Sequence, residues 1–99
     1  MHITFTRSEV TEEQSREVDQ FLAGFLPRFK SQPGVLAVFH YNRPQIGDEV
    51  TITVWESEDA VRAYRQSELI KEPIAFESDH DLPTTREAYP LVYAASRGI

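Results

Sequence analysis

The sequence predicts an α+β domain whose elements follow the order β-α-β-β-α-β. Residues 50–55 alternate between apolar and polar side chains and run directly into a segment with helical spacing. Earlier in the chain, the apolar residues of 18–29 recur at three- and four-residue intervals, which is typical of an amphipathic helix. Because 99 residues suffice for one domain, we expect residues 1–99 to form a single unit.

The first part of the chain predicts one strand followed by one helix. Residues 1–7 alternate and predict strand one. Thr11 and Gln14 have the spacing of a capping box, in which each side chain satisfies a backbone group of the other residue. Pro27 lies inside the helix that follows and lacks an N–H group, so we expect a kink or break near residues 24–26.

The middle of the chain predicts a β-hairpin that leads into a second helix. Strand two is expected at residues 35–43 and strand three at residues 49–56, with a turn between them. Ser57 then ends the alternation, and its hydroxyl can accept from a free N–H group of the first helical turn. Ser67 could begin another helical segment, which Pro73 is expected to limit.

The end of the chain predicts a loop and a last strand. Residues 78–86 are polar and are expected to form a loop, and residues 87–96 are expected to form strand four. Pro90 cannot donate to a neighbouring strand, so it favours an edge position or a bulge. The complete order is that of a ferredoxin-like unit, with helices on one face of an antiparallel sheet.

Strand two predicts that the second face of the sheet is also buried. Apolar side chains occur on both of its sides: Leu36 and Val38 on one, and Val35, Ala37, Phe39 and Tyr41 on the other. A sheet that is apolar on both faces needs a second cover, and the sequence predicts no third helix that could supply it on that side. We therefore expect a homodimer that packs sheet against sheet around a two-fold axis.

Composition excludes several classes of partner and site. The formal net charge is −6, which argues against a nucleic-acid-binding surface. The chain has no cysteine, so neither disulfides nor thiolate metal sites are expected. No apolar run approaches the roughly 20 residues that span a bilayer, and no targeting segment is predicted. We expect a cytoplasmic protein without a membrane partner.

Two short motifs resemble a known family. The run Trp55-Glu56-Ser57-Glu58-Asp59-Ala60, after an alternating strand and before an amphipathic helix, resembles the signature of the antibiotic biosynthesis monooxygenase family. The Pro33-Gly34 pair before strand two also resembles that family. The resemblance implies a dimeric α/β barrel. It also implies one of several activities, including the oxidation of quinols or anthrones with O₂ and no cofactor.

The resemblance also directs attention to particular positions. The helix position of Tyr64 faces the cavity in this family, where haem-degrading members carry Trp and quinol-oxidising members often carry His. Leu69 stands where a second His often follows. The haem-degrading pattern also has a His near Ile74 and an Asn near Thr6 or Arg7, and this sequence has neither. Haem degradation is therefore not expected, and no cofactor is predicted.

His40 is the candidate general base, because it is the only histidine inside a predicted strand and an imidazole titrates near neutral pH. The alternative is a histidine buried for structural reasons in a barrel or dimer interface. Its position depends on register. If His40 pairs with Val50, it shares the face of Val50, Ile52 and Val54; if it pairs with Thr51, it shares the face of Trp55. The pattern leaves both open.

Further candidate residues would bind a small apolar or aromatic molecule. Tyr64 and Arg43 could donate hydrogen bonds to a substrate oxygen, although Tyr64 could also be a core aromatic and Arg43 a solvated side chain. The candidate cavity wall consists of Trp55, Phe21, Leu22 and Phe25. The run 79–81 is expected to be a solvated loop, so no metal site is predicted.

Three functional hypotheses remain open at this point. The first is a cofactor-free monooxygenase, with His40 as base, acting on a hydroxyaromatic or quinol-type substrate. The second is a non-catalytic homodimer that binds a small ligand or serves as a scaffold. The third is proton-transfer chemistry, such as isomerisation or decarboxylation, because a fold does not determine a function.

Overall fold

The computed structural model describes residues 1–99 and contains a four-stranded antiparallel sheet and three helices. Neighbouring strands follow the order β2-β3-β1-β4. This confirms the predicted ferredoxin-like α+β fold, with the second helical region divided into two helices. The elements are β1 (His2–Glu9), α1 (Glu12–Phe29), β2 (Val35–Arg43), β3 (Asp48–Trp55), α2 (Glu58–Arg65), α3 (Lys71–Asp79) and β4 (Thr84–Pro90).

Helix α1 begins at the predicted capping box but does not break at its proline. Thr11 accepts from the Gln14 backbone at 3.1 Å, and the Gln14 side chain accepts from the Thr11 backbone at 3.0 Å. Of the expected kink or break near residues 24–26, the break is wrong, since α1 continues to Phe29. Pro27 lies in the last turn, where its missing N–H group removes only one hydrogen bond of the helix.

Two predictions about the segment after α2 are also wrong. Pro73 does not limit a helix; it is the third residue of α3, which begins at Lys71. A proline in the first turn costs nothing there, because the first N–H groups of a helix have no partner within it. The expected loop at residues 78–86 is correspondingly shorter: α3 extends to Asp79 and β4 begins at Thr84.

Strand β4 lies at the edge of the sheet, as expected from Pro90, but it ends at that residue instead of at residue 96. Its partner is β1, and the ladder ends with the pair His2 and Pro90. One further bond joins the Leu91 N–H group to the Met1 carbonyl at 2.9 Å.

The helices cover the sheet face that carries Glu49, Thr51, Thr53 and Trp55, which we call the helix-covered face. The opposite side, the open face, carries apolar side chains, with Phe39 44% exposed. A register shift between Val35 and Ala37 places Val35 on the helix-covered face, so these two residues do not share one side as expected.

Aromatic side chains form the main core between α1, α2 and the sheet. Phe25, Phe29, Trp55 and Val61 are buried there together. The Phe29 ring meets Trp55 edge-on, with 5.6 Å between the ring centroids. The indole N–H group of Trp55 donates to the Thr4 hydroxyl at 2.9 Å, so this buried ring leaves no polar group unpaired.

Gly34 brings the start of β2 against the first turn of α2. Its φ angle is +85°, a conformation that disfavours every residue with a Cβ atom. A Cβ atom at this position would lie 2.4 Å from the Cβ of Ala60. The Pro-Gly motif before strand two thus has a steric reason in this chain. No helix of the protein has the length and apolar character required to cross a membrane.

Candidate active site

A row of polar side chains crosses the helix-covered face from one edge of the sheet to the other. Pairing places His40 opposite Thr51, Thr51 opposite Thr6, and Thr6 opposite Arg86. All four line a cavity beneath the helices with a volume of about 90 Å³. The row thus forms a polar floor with an imidazole at one end and a guanidinium at the other.

Register places His40 on the face of Trp55, which decides between the two alternatives left by the sequence. Both of its ring nitrogens are engaged. Nδ1 lies 2.8 Å from the hydroxyl oxygen of Thr51, and Nε2 lies 2.6 Å from Oε1 of Glu49. The His40 side chain is 16% exposed. The imidazole is therefore held in one orientation at the boundary of the cavity.

Glu49 is the buried partner of that histidine. It is only 2% exposed, and its second oxygen accepts a hydrogen bond from the hydroxyl of Ser15 on α1. Burial raises the pKa of Glu49, the nearby carboxylate of Asp19 acts in the same direction, and the hydrogen bonds from Ser15 and His40 oppose them. The carboxylate is therefore stabilised mainly by these two neighbours.

The same corner brings three potential metal ligands close together. Potential ligand atoms of Asp19, His40 and Glu49 lie within 4.8 Å of one another. However, the imidazole and Glu49 are hydrogen-bonded to each other at 2.6 Å, while ligand atoms around an ion at about 2.1 Å lie roughly 3 Å or more apart. Asp19 in turn accepts from Asn42 at 3.1 Å. We assign no metal ligands here.

Arg86 supplies the positive end of the polar row. Its guanidinium forms two hydrogen bonds to Glu77 on α3, at 2.9 and 2.7 Å. Such a two-point contact fixes the plane of the guanidinium group. The Arg86 side chain remains 25% exposed, so its other N–H groups are accessible to a cavity ligand.

Tyr64 points inward from α2, as expected from the helical spacing. Its ring meets Phe29 edge-on with 4.9 Å between the centroids, and it also contacts Trp55. Burial raises the pKa of Tyr64 to about 12, although the charge of Arg86 opposes this effect. Tyr64 is therefore a neutral hydroxyl at physiological pH, suited to donate a hydrogen bond but not to act as a base.

The predicted wall residues line the cavity as a stack of aromatic rings. Phe21 lies between Phe25 and Phe76, with ring centroids 5.4 and 4.4 Å away. Leu22 and Trp55 complete the set of expected wall residues. Because the indole of Trp55 is 1% exposed and bonded to Thr4, it contributes mainly to the packing of the wall.

The candidate Arg43, and His80 from the run that was expected to be a solvated loop, both lie elsewhere. Arg43 does not line the cavity; it forms two hydrogen bonds to Asp48, at 3.0 and 2.6 Å. His80 caps α3 instead of lying in a solvated loop, and it stacks on Phe76 and pairs with Glu17 at 3.0 Å. Neither residue belongs to the candidate site.

Several residues of the site were missed from the sequence: Ser15, Asp19, Glu49, Thr51, Glu77 and Arg86. One signal for them was present. Thr4 and Thr6 in β1 and Thr51 and Thr53 in β3 alternate with apolar residues, which marks one polar face on each strand. That these polar faces lie under the helices follows only from the position of Trp55.

Comparison with models of known protein families shows which family the chain belongs to. The profile of the family described as antibiotic biosynthesis monooxygenase matches residues 1–75. The chain belongs to the antibiotic biosynthesis monooxygenase family. This confirms the resemblance carried by the residues around Trp55. No curated protein matches the chain significantly.

Solved structures share the fold of this family member. A proposed antibiotic biosynthesis monooxygenase from Deinococcus radiodurans superposes with a TM-score of 0.85 at 14% identity, covering 99% of both chains. Rv0793 from Mycobacterium tuberculosis has a TM-score of 0.79 at 15% identity, over 96% of this chain and 98% of its own. The haem degrader MhuD from M. tuberculosis, solved with two haems bound, has a TM-score of 0.72 at 17% identity, over 97% and 100%.

Proposed function

We propose that the protein is a cofactor-independent monooxygenase that acts on a small hydroxyaromatic or quinol-type substrate. One observation carries the proposal: His40, bonded to buried Glu49, lies at the edge of a cavity with aromatic walls. A base beside a buried carboxylate can accept a proton and keep the resulting imidazolium stable. The family membership supports the same class of reaction.

The chemistry begins with removal of a proton from the substrate. The substrate anion is electron-rich and passes an electron to O₂, after which the two radicals combine. For a substrate with an activated CH₂ group, one oxygen atom becomes the new carbonyl oxygen. The other leaves as water with the two hydrogens, so that a four-electron oxidation matches the four-electron reduction of O₂. The protein must supply a base, donors for the anion and a dry pocket.

The donors in this proposal come from the other end of the polar floor. Tyr64 stays a candidate donor to the substrate oxyanion, and Arg86 takes the place of Arg43, because Tyr64 and Arg86 line the cavity and Arg43 does not. A fixed guanidinium in a site with little water stabilises a developing negative charge much more than it would in bulk solvent. The neutral hydroxyl of Tyr64 can donate without first losing its proton.

The size of the cavity favours a small substrate. Its volume is about 90 Å³, whereas an engineered cavity of about 150 Å³ holds one benzene molecule. A substrate with one or two rings therefore requires the Phe21 and Phe76 rings to move apart. A haem would require a much larger rearrangement, so we do not propose haem degradation.

We further propose that the protein acts in the cytoplasm as a homodimer. The open face carries exposed apolar side chains, including Phe39 at 44%, Tyr41 at 39% and Tyr89 at 47%. A second copy packed against this face would bury them. A stable interface buries about 800 Å² per partner, which is within reach of one face of a four-stranded sheet.

The alternative is a non-catalytic homodimer that binds a small ligand. The closely stacked Phe21, Phe25 and Phe76 favour it, because their ring centroids lie 5.4 and 4.4 Å apart and only about 90 Å³ stays open between the helices and the sheet. An oxygen-electrode screen with benzohydroquinones, naphthohydroquinones and anthrones separates the two. The monooxygenase requires O₂ uptake and, with ¹⁸O₂, one labelled oxygen atom in the product. Binding without uptake across the panel would favour the alternative.

A further inference from the structure

Neither ring nitrogen of His40 is free to meet a substrate. Nε2 is bonded to Glu49 at 2.6 Å and Nδ1 to the Thr51 hydroxyl at 2.8 Å. A substrate proton can therefore reach the imidazole only if one of these two bonds breaks, or if it travels through one of the partners. Of the two partners, Glu49 is 2% exposed and has its other oxygen occupied by Ser15. Thr51 is more exposed and lines the cavity.

The partners of the imidazole determine the direction of the hydrogen bonds. An ionised Glu49 can only accept, so Nε2 carries the proton and Nδ1 presents a lone pair. That lone pair must accept from the Thr51 hydroxyl. The oxygen of Thr51 then keeps lone pairs of its own, and its place in the middle of the polar floor directs it toward the cavity.

We propose that the Thr51 hydroxyl is the group that takes the proton of a phenolic substrate, and that Glu49 is a positioning residue for His40. This inference rests on the proposed function, since it describes how that base receives its proton. Glu49 fixes the tautomer of the imidazole and stabilises the imidazolium, in the manner of the carboxylate in a catalytic triad.

The step balances without any further reactant. The substrate O–H bond breaks and its proton forms a new O–H bond on Thr51. At the same time the original Thr51 proton moves to Nδ1 of His40. The products are a phenolate, a neutral threonine and an imidazolium that is bonded to the Glu49 carboxylate. Net charge is conserved. Because Thr51 gives up one proton as it receives the other, it never becomes a full alkoxide, which the high pKa of an aliphatic hydroxyl would make unfavourable.

Three variants test this relay. Thr51→Val keeps the shape of the side chain and removes the hydroxyl, and Thr51→Ser keeps the hydroxyl. Thr84→Val is the matched control, because Thr84 lies on the same sheet face without lining the cavity, and its hydroxyl is bonded at 2.8 Å to Ser8, at the rim of the polar floor and away from His40. The probe is 4-nitrophenol, whose absorbance reports ionisation of the bound phenol without any turnover.

In the wild type and Thr51→Ser we expect the bound phenol to ionise at a lower pH than free phenol. In Thr51→Val we expect this shift to be lost, and turnover of any quinol substrate to fall by about a hundredfold or more, the usual contribution of a positioned acid or base. The double variant of Thr51→Val with His40→Gln should show no greater loss of turnover than either single variant, because the two residues carry the same proton in sequence.

The outcomes separate the relay from the function on which it rests. If Thr51→Val ionises the phenol as the wild type does, while His40→Gln does not, the relay through Thr51 is wrong and His40 is still supported as the base. If the wild type fails to bind the phenol or leaves it neutral, the proposed base and the proposed function are both wrong. A loss in Thr84→Val equal to that in Thr51→Val would show a general packing effect and would overturn the relay.

Discussion

Glu49 and His40 face each other across the β2–β3 hairpin, with Oε1 and Nε2 only 2.6 Å apart. His40 pairs with Thr51 and Glu49 pairs with Asn42, so the two residues are diagonal neighbours on the same face of the hairpin. Glu49 is among the most buried side chains of the protein. A buried carboxylate destabilises the folded state unless it is paired with another group, and Glu49 is paired with the candidate base.

The first prediction concerns stability and the charge of Glu49. Its folded-state pKa is raised, so the folded state holds this proton at a higher pH than the unfolded chain does. This contribution to stability is complete below the ordinary glutamate range and is lost as pH rises through the folded pKa. In Glu49→Gln this pH-dependent loss of stability should disappear. The free energy of unfolding, measured by urea denaturation, should therefore change less between pH 4 and 8 than it does in the wild type.

The control for that experiment is Glu9→Gln, since Glu9 is exposed. It should retain the pH dependence of the wild type. Because the ionisable side chains of Asp19 and His40 lie against Glu49, the pH dependence of the free energy of unfolding is compared between variants and is not interpreted as an absolute value. An unchanged slope in Glu49→Gln would contradict the burial of this carboxyl group.

The second prediction concerns Tyr64. The hydroxyl gains no hydrogen bond from protein groups that affects its titration, so Tyr64→Phe should change stability at pH 7 by no more than about 1 kcal/mol. Because the pKa is raised to about 12 from 10, wild-type stability should fall between pH 10 and 12. The stability of Tyr64→Phe should fall less over this pH interval. A parallel decline in both proteins would mean that the hydroxyl is solvated.

The third prediction concerns Gly34. Gly34→Ala should destabilise the protein by roughly 1–3 kcal/mol, because the new Cβ atom meets Ala60 and the φ angle is positive. Gly24→Ala is a matched control, since Gly24 lies within α1 and its Cβ would meet nothing within 4 Å. That variant should gain about 0.5–1 kcal/mol. Equal midpoints in urea for the two variants would contradict the close approach.

The fourth prediction concerns the open face. Phe39→Lys should convert a dimer into a monomer with an unchanged far-ultraviolet circular dichroism spectrum, because the side chain lies on the exposed side of β2. Ile74→Lys is the control, since Ile74 is similarly exposed at 47% but belongs to α3. Light scattering should report a dimer for this control. A monomeric wild type at micromolar concentration would contradict the proposed assembly.

The parts of the fold that local patterns encode were predictable. The period of the apolar residues placed α1 and the ring of Tyr64, and the alternation ending at Trp55 placed β3. Element ends were less predictable. Pro27 and Pro73 were interpreted as breaks, but their effect depends on where in the helix they lie, and this depends on tertiary packing.

The candidate site was predictable only in part. His40 and the aromatic wall follow from composition and spacing, but the face that carries His40 depends on strand register, which an apolar pattern on both faces does not fix. Glu49 was interpreted only as the first residue of a strand. Its burial depends on Ser15, which lies 34 residues earlier in the chain. Arg86 fell in a predicted loop, so its place in the sheet was not anticipated.

The most direct test of the account is O₂ uptake by His40→Gln compared with the wild type, using the hydroquinone or anthrone that gives the fastest wild-type rate. His80→Gln is the matched control, because His80 lies at the end of α3 and outside the cavity. We expect uptake to fall by at least about a hundredfold in His40→Gln and to remain at the wild-type rate in His80→Gln. Uptake by His40→Gln at the wild-type rate, in a folded protein, would contradict the assignment of His40 as the base.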